Sequence, residues 1–345
     1  MTLTRCARDP VRANASRRSL IAGTAAAAAT VGVPAWLSPG PARAQNWPDR
    51  PIRLLVGFAP GGGTDIVGRV MAPKLSELLG AQVVIENRPG AAGTIAAELV
   101  AKSQPDGYTL VVGHANPNAI APNVYNKVPF DPANDFTAIT YIGYVPNVLV
   151  VNPQVAAKDV KELIALARSR DGKLTYASSG VGSTQHLAGE LFQRIANVQM
   201  THIPYKGSGQ AIADLLAHQV DCNFDTMPPV LPHIQAGKLR ALAISTPKRM
   251  PQLPAVPTFD EVGIKGFDVT NWYSIMGPRG LSAEVVRRID AAAKKTLTDR
   301  EIVGKLEPQG IIFDGPQTPA EFDAFVKKEL AKYARMTKEL GIRAD

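Results

Sequence analysis

The sequence predicts an α/β fold of two lobes hinged by two crossing strands. Apolar strand-like runs alternate with amphipathic helix-like runs almost throughout, the pattern of βαβ units and a parallel sheet. Two longer β-rich runs, 139–151 and 267–276, break that rhythm and divide the chain. Glycine-bearing strand-to-helix loops occur in both divisions. Each lobe then presents the carboxyl ends of its strands to a shared cleft, where open α/β sheets bind ligands.

The elements follow in order. Strand 52–58 runs into Gly61-Gly62-Gly63 and then helix 64–79, whose Ile66, Val67, Val70, Met71, Leu75, Leu78 and Leu79 share one face and which Gly80 ends. Strand 82–87, helix 94–102 and strand 108–113 complete the first alternation. The run 139–151, interrupted by Pro146, crosses to the second lobe. There the alternation resumes: helix 159–169, strand 173–178, helix 184–196, strand 199–205, helix 209–218, strand 221–225, helix 229–236 and strand 239–245. The run 267–276, ending at Gly277-Pro278, returns. Helices 282–298 and 300–306, a short strand 310–313 and a final helix 318–340 close the chain. Ser282 and Thr318 read as N-caps, and Thr318 with Glu321 makes a capping box. The lobes are therefore 45–144 with 270–345, and 145–269.

The first 44 residues read as an export signal. Arg17-Arg18 precedes an alanine-rich apolar stretch, and Ala42-Arg43-Ala44 offers a small-residue cleavage site. Twin arginines point to the Tat route, with an ordinary Sec signal as the alternative; either route leads to the periplasm. Cleavage after Ala44 removes six arginines and one aspartate, which lowers the net charge from +8 to +3. That residual charge, with no dense Lys/Arg run, excludes nucleic acid as a partner class. Cys6 leaves with the signal, so Cys222 has no partner for an internal disulfide.

The loop Phe58-Ala59-Pro60-Gly61-Gly62-Gly63-Thr64-Asp65 places bare backbone N–H groups at a helix start, an arrangement that holds anions. It lacks the Gly-Lys-Ser/Thr of a Walker loop, and Ile66 stands where a dinucleotide fingerprint needs glycine. A small anion is the leading reading, and a ligand-free glycine turn is the plain one. Asp65 either caps the helix or accepts an ammonium or hydroxyl from the ligand. In the second lobe Ser178, Ser179, Gly180, Ser183, Thr184 and His186 occupy a similar loop, and Tyr205, Lys206 and Gly207 a third. Lys206 is either a contact for a carboxylate or a solvated lysine. Ala115, Asn116 and Asp225 end strands on the same side. Phe58, Tyr205 and Trp272 either flank an aromatic ligand or pack as wall.

A rival from another class is a hydrolase or isomerase built on Ser183, His186 and Asp225; no Gly-x-Ser-x-Gly elbow supports it. The five histidines show no paired metal-ligand spacing, so neither metal nor cofactor is expected.

Several stretches together resemble one family. They include Phe58 through Asp65, Glu86-Asn87-Arg88-Pro89-Gly90-Ala91, Pro105-Asp106-Gly107-Tyr108, Gly182-Ser183-Thr184-Gln185-His186, Pro204-Tyr205-Lys206-Gly207 and Gly237-Lys238-Leu239-Arg240, in order along the chain. The chain resembles the substrate-binding proteins of tripartite tricarboxylate transporters, the Bug family. The resemblance implies a monomeric periplasmic binding protein of the Venus-flytrap type and no enzymatic activity. Such a protein closes on a small organic carboxylate and delivers it to the membrane subunits of the transporter; the alternative is a ligand-sensing receptor for a signalling partner. It also implies that Phe58 to Asp65, Ala115, Asn116, Ser178 to Thr184, His186, Tyr205 to Gly207 and Asp225 face the ligand.

Overall fold

The computed structural model describes residues 47–343; the expected signal and its cleavage site after Ala44 lie outside them. Nine strands form one sheet: β1 (Ile52–Val56), β2 (Val83–Asn87), β3 (Thr109–His114), β4 (Phe136–Val151), β5 (Thr175–Ser178), β6 (Thr201–Pro204), β7 (Cys222–Thr226), β8 (Arg240–Ile244) and β9 (Thr270–Pro278). Eight of them follow the hydrogen-bonded order β2-β1-β3-β9-β4-β7-β5-β6, and β8 pairs with the far part of β4. Strands β1 (Ile52–Val56), β2 (Val83–Asn87) and β3 (Thr109–His114) are parallel neighbours, and β9 (Thr270–Pro278) lies antiparallel to β3. In the second half β5 (Thr175–Ser178) pairs in parallel with β6 (Thr201–Pro204) and β7 (Cys222–Thr226).

Strand β4 (Phe136–Val151) joins the halves. It pairs with β9 as far as Pro146, then with β7 and β8 (Arg240–Ile244) from Asn147 and Val148 onward. Proline lacks the N–H a central ladder needs, and here it stands where one partner gives way to another. The return is shorter than the sequence suggested: Phe267 and Val269 pack in the second core, and the strand proper starts at Thr270. The expected strand 310–313 is a single bridge, Ile312 to Tyr144, because the left-handed Gly310 ends a short turn immediately before it.

Helices α1 (Gly63–Leu79), α8 (Ala283–Leu297) and α9 (Arg300–Leu306) cover one face of the first sheet. On the other face lie α2 (Thr94–Ala101), the short α3 (Ala121–Val124) and α10 (Pro319–Leu340). In the second half α4 (Val160–Ser169) and α5 (Thr184–Ala196) pack on one face, α6 (Ser208–Leu216) and α7 (Met227–Gln235) on the other. Thr318 and Glu321 form the capping box of α10, and Ser282 caps α8 through Val285 N–H. A π-helical turn at Asn116–Ile120, not expected from sequence, links β3 to α3. Among the described residues no helix is long and apolar enough to cross a membrane.

Candidate functional site

The first-half glycine loop begins where β1 ends. Gly61 has φ +86°, a left-handed conformation that costs glycine little and other residues more. Gly62 is the N-cap of α1 and brings no side chain to the role. A 17-residue helix therefore opens with amides that lack a side-chain acceptor, at the positive end of its dipole. Gly63 lies against the Tyr273 hydroxyl and within contact range of Thr226 Oγ1 of the second half; a Cβ there would collide.

Asp65 does not cap α1, of which it is the third residue. Its carboxylate accepts from Gly61 N–H at 3.0 Å, Asn87 Nδ2 at 2.9 Å and Arg69 Nε at 2.9 Å. Burial works to raise this carboxyl, but the bonds from Arg69, Asn87 and Gly61 outweigh it and hold the carboxyl below its usual range. Asp65 thus shapes the loop and consumes the Gly61 amide.

The second half supplies three helix starts. Ser183 caps α5 by accepting from His186 N–H at 3.2 Å. Helices α6 and α7 start at Gly207 and Thr226 without a side-chain cap. Beneath them lies Asp225, fully buried, which accepts from Ser208 Oγ at 2.7 Å, Thr226 N–H at 2.8 Å, Asn223 Nδ2 at 3.0 Å and Gln185 Nε2 at 3.1 Å. Burial pushes its carboxyl up against those donors. Asp225 ties the starts of α5, α6 and α7 together.

Two stacked imidazoles buttress the 178–182 loop. The rings of His186 and His202 lie 4.2 Å apart at 13°. His202 Nε2 meets Ser178 Oγ at 2.6 Å, and Ser178 Oγ accepts from Gly180 N–H at 3.1 Å. His186 Nδ1 accepts from Gly182 N–H at 3.3 Å. Burial lowers His186 to about 4; burial, helped by the His186 neighbour, lowers His202 to about 3. Ser179 donates to Gln185 Oε1 at 2.7 Å. Ser183, His186 and Asp225 are therefore near one another without forming a catalytic relay. The Ser183 hydroxyl serves the His186 backbone, the imidazole serves Gly182, and Asp225 bonds neither.

The loops of the two halves meet directly. Ala59 N–H donates to Lys206 C=O at 3.3 Å, and Thr184 N–H to Asn116 Oδ1 at 2.9 Å. Tyr125 OH donates to Val181 C=O at 2.9 Å. Gly209 passes so near the Pro60 carbonyl that a Cβ would come within 2.6 Å of it. The Lys206 side chain itself is exposed, so its contribution to this contact is its carbonyl. Phe58 packs on the His114 ring at 4.9 Å, with its carbonyl held by Asn87 Nδ2. Tyr205 donates its hydroxyl to Asp214 at 2.7 Å. Trp272 sits in the first core with Nε1 on Glu329 at 3.2 Å. Ala115 is buried, its N–H donating to Asn271 Oδ1 at 3.3 Å.

Buried polar atoms without a protein partner gather in this region: Asn116 Nδ2, Asn118 Nδ2, Asn147 Oδ1 and Ser274 Oγ. Native proteins rarely leave such groups unpaired, because each costs about 1–3 kcal/mol. Sequence reasoning missed Tyr273, Asn271, Ser208 and the turn at 90–93, where Ala91 and Ala92 have positive φ and Ala92 faces Gly180. Among the described residues no group of three metal-ligating side chains occurs.

Known proteins share this architecture. A protein from R. palustris solved with adipate superposes with a TM-score of 0.83 at 37% identity, over 86% of this chain and 99% of that one. MatC from Rhodopseudomonas palustris, solved with bound malate, gives 0.81 at 32% identity, over 84% and 99%. Protein BugT of Bordetella pertussis is 36% identical over 316 residues, 91% of this chain and 95% of the relative. The family model for tripartite tricarboxylate transporter family receptors matches residues 67–342. With that match and those relatives, this two-lobed chain belongs to the tripartite tricarboxylate transporter receptor family, the Bug proteins, which are substrate-binding proteins and not enzymes.

Proposed function

We propose that this protein is a periplasmic receptor that reversibly binds a small organic carboxylate between its lobes and hands it to a transporter of the tripartite tricarboxylate type. The lobes are 45–144 with 270–345, and 145–269, and the ligand loops are those of Phe58–Asp65, Ala115–Asn116, Ser178–His186, Tyr205–Gly207 and Asp225. It acts as a monomer after loss of the signal near Ala44.

One observation carries the reading. The uncapped start of α1 lies beside the uncapped start of α6, where a Cβ on Gly62 would stand 3.8 Å from Ser208 Cβ, and buried donors without a protein partner stand nearby. Amides at helix starts and neutral donors stabilise a negative oxygen without a fixed cation. Each such bond contributes about 1 kcal/mol net, which suits capture and release. Similar proteins bound to adipate and malate support the ligand class.

Titration calorimetry of the mature chain with adipate and malate tests it. Saturable binding of either, with the ligand recovered unchanged, supports a carrier. Turnover of the ligand, or no binding to any member of a wider carboxylate panel, contradicts it.

A further inference from the structure

We infer that Asn116 couples ligand binding to lobe closure, acting as a positioning residue that spans the cleft. It lies two residues beyond the end of β3 and is fully buried. Its own N–H is anchored on His114 Nδ1 at 3.1 Å. Its side-chain Oδ1 accepts from Thr184 N–H at 2.9 Å, and Thr184 is the first residue of α5 in the other half. An amide of one lobe thereby completes the first turn of a helix in the other, which Ser183 caps only at His186. On its far side the Thr184 carbonyl accepts from Asn147 Nδ2 at 3.5 Å, just where β4 changes partners.

The second half of the Asn116 side chain gives the contact its consequence. Thr184 N–H is a donor, so the atom facing it is the amide oxygen. That choice leaves Nδ2 as a buried donor with no protein partner. Closure therefore fixes the amide and aims its NH2 at whatever lies in the cleft. A ligand oxygen accepting there removes a desolvation cost that exists only in the closed form, so the ligand favours closure through differential affinity. This inference rests on the carboxylate reading for the identity of the ligand, but not for the Asn116–Thr184 contact.

Two variants separate the two halves of the side chain. Asn116→Asp keeps an oxygen for Thr184 N–H, and its charge at the start of α5 favours that contact, but it replaces the donor with an acceptor. Asn116→Ala removes both. Solution X-ray scattering without ligand, and calorimetry with malate and adipate, are the readouts. The expected result is that Asn116→Asp is as compact as the wild type or more so, yet binds at least about 10-fold more weakly. Asn116→Ala should be more open than Asn116→Asp and also bind weakly. Wild-type affinity in either variant overturns the inference, as does equal compactness of the two without ligand. If the wild type binds neither acid nor any member of the wider carboxylate panel, the carboxylate reading fails by itself, while the compactness difference still judges the contact. Should Asn116→Ala fail to fold, Asn116→Asp alone decides: it must be compact and weak.

Discussion

Gly63 stands directly against the Tyr273 hydroxyl, although 210 positions of sequence separate the two residues. The neighbouring Gly62 is different: a Cβ there meets only Ala59 O and Ser208 Cβ, each at 3.8 Å. Gly63→Ala should lower stability by about 1–3 kcal/mol through overpacking. Gly62→Val should fold normally but abolish binding, because its methyl groups project toward Ser208 and hold the lobes apart. Thermal melts with calorimetry check both; wild-type affinity in Gly62→Val contradicts the assigned cleft.

Asp65→Ala should weaken binding more than it weakens the fold. Arg69 is half exposed, and such an ion pair is worth only about 0–1 kcal/mol. The loss that matters is the hold on Gly61 N–H and Asn87, which sets the path of the 58–62 loop. Affinity should fall by roughly 10-fold or more while the melting temperature moves by only a few degrees. Equal affinity in variant and wild type contradicts this role.

Trp272→Phe should act in the opposite sense. Its indole is in the core, bonded to Glu329, and so the variant should lose stability and keep its affinity for aliphatic and aromatic acids alike. A selective loss of aromatic ligands would return Trp272 to the cleft.

The buried histidines predict a pH dependence. Burial holds His186 at about 4 and His202 at about 3, below the ordinary 6.5. Folded and unfolded chains then bind equal numbers of protons above about pH 6.5, and the stabilising preference for neutral rings is intact there. Below that pH the unfolded chain protonates first, and stability falls toward pH 4 for His186 and pH 3 for His202, by up to about 1.4 kcal/mol per pH unit for each. Asp225, whose carboxyl is raised, runs the other way and stabilises most at low pH. A comparison isolates the histidine: His202→Gln should flatten the loss between pH 6.5 and 4 relative to wild type. Parallel curves in denaturant titrations contradict it.

Much of this architecture is legible locally. The capping box of Thr318 and Glu321, the stop at Gly80 and the glycine loop before α1 depend on neighbours within a few residues. So does the alternation that predicts the sheet. What the sequence hides is long-range. Asp65 looks like a helix cap until the fold brings Asn87 to it from another strand. Tyr273 joins Gly63 only because β9 returns beside β3. Lys206 attracts attention through its charge, yet its backbone carbonyl makes the contact. Ala91 and Ala92 carry no glycine signal for their left-handed turn, since alanine pays a steric cost there that the surrounding loops must offset.

Hydrogen–deuterium exchange with and without malate or adipate puts the account to its most direct test. Ligand should slow exchange in 62–66 and 207–211 together, since one guest accepts from helix starts on both sides. Protection confined to one of these segments, or to neither while binding is saturated, would contradict a carboxylate held between opposed helix starts.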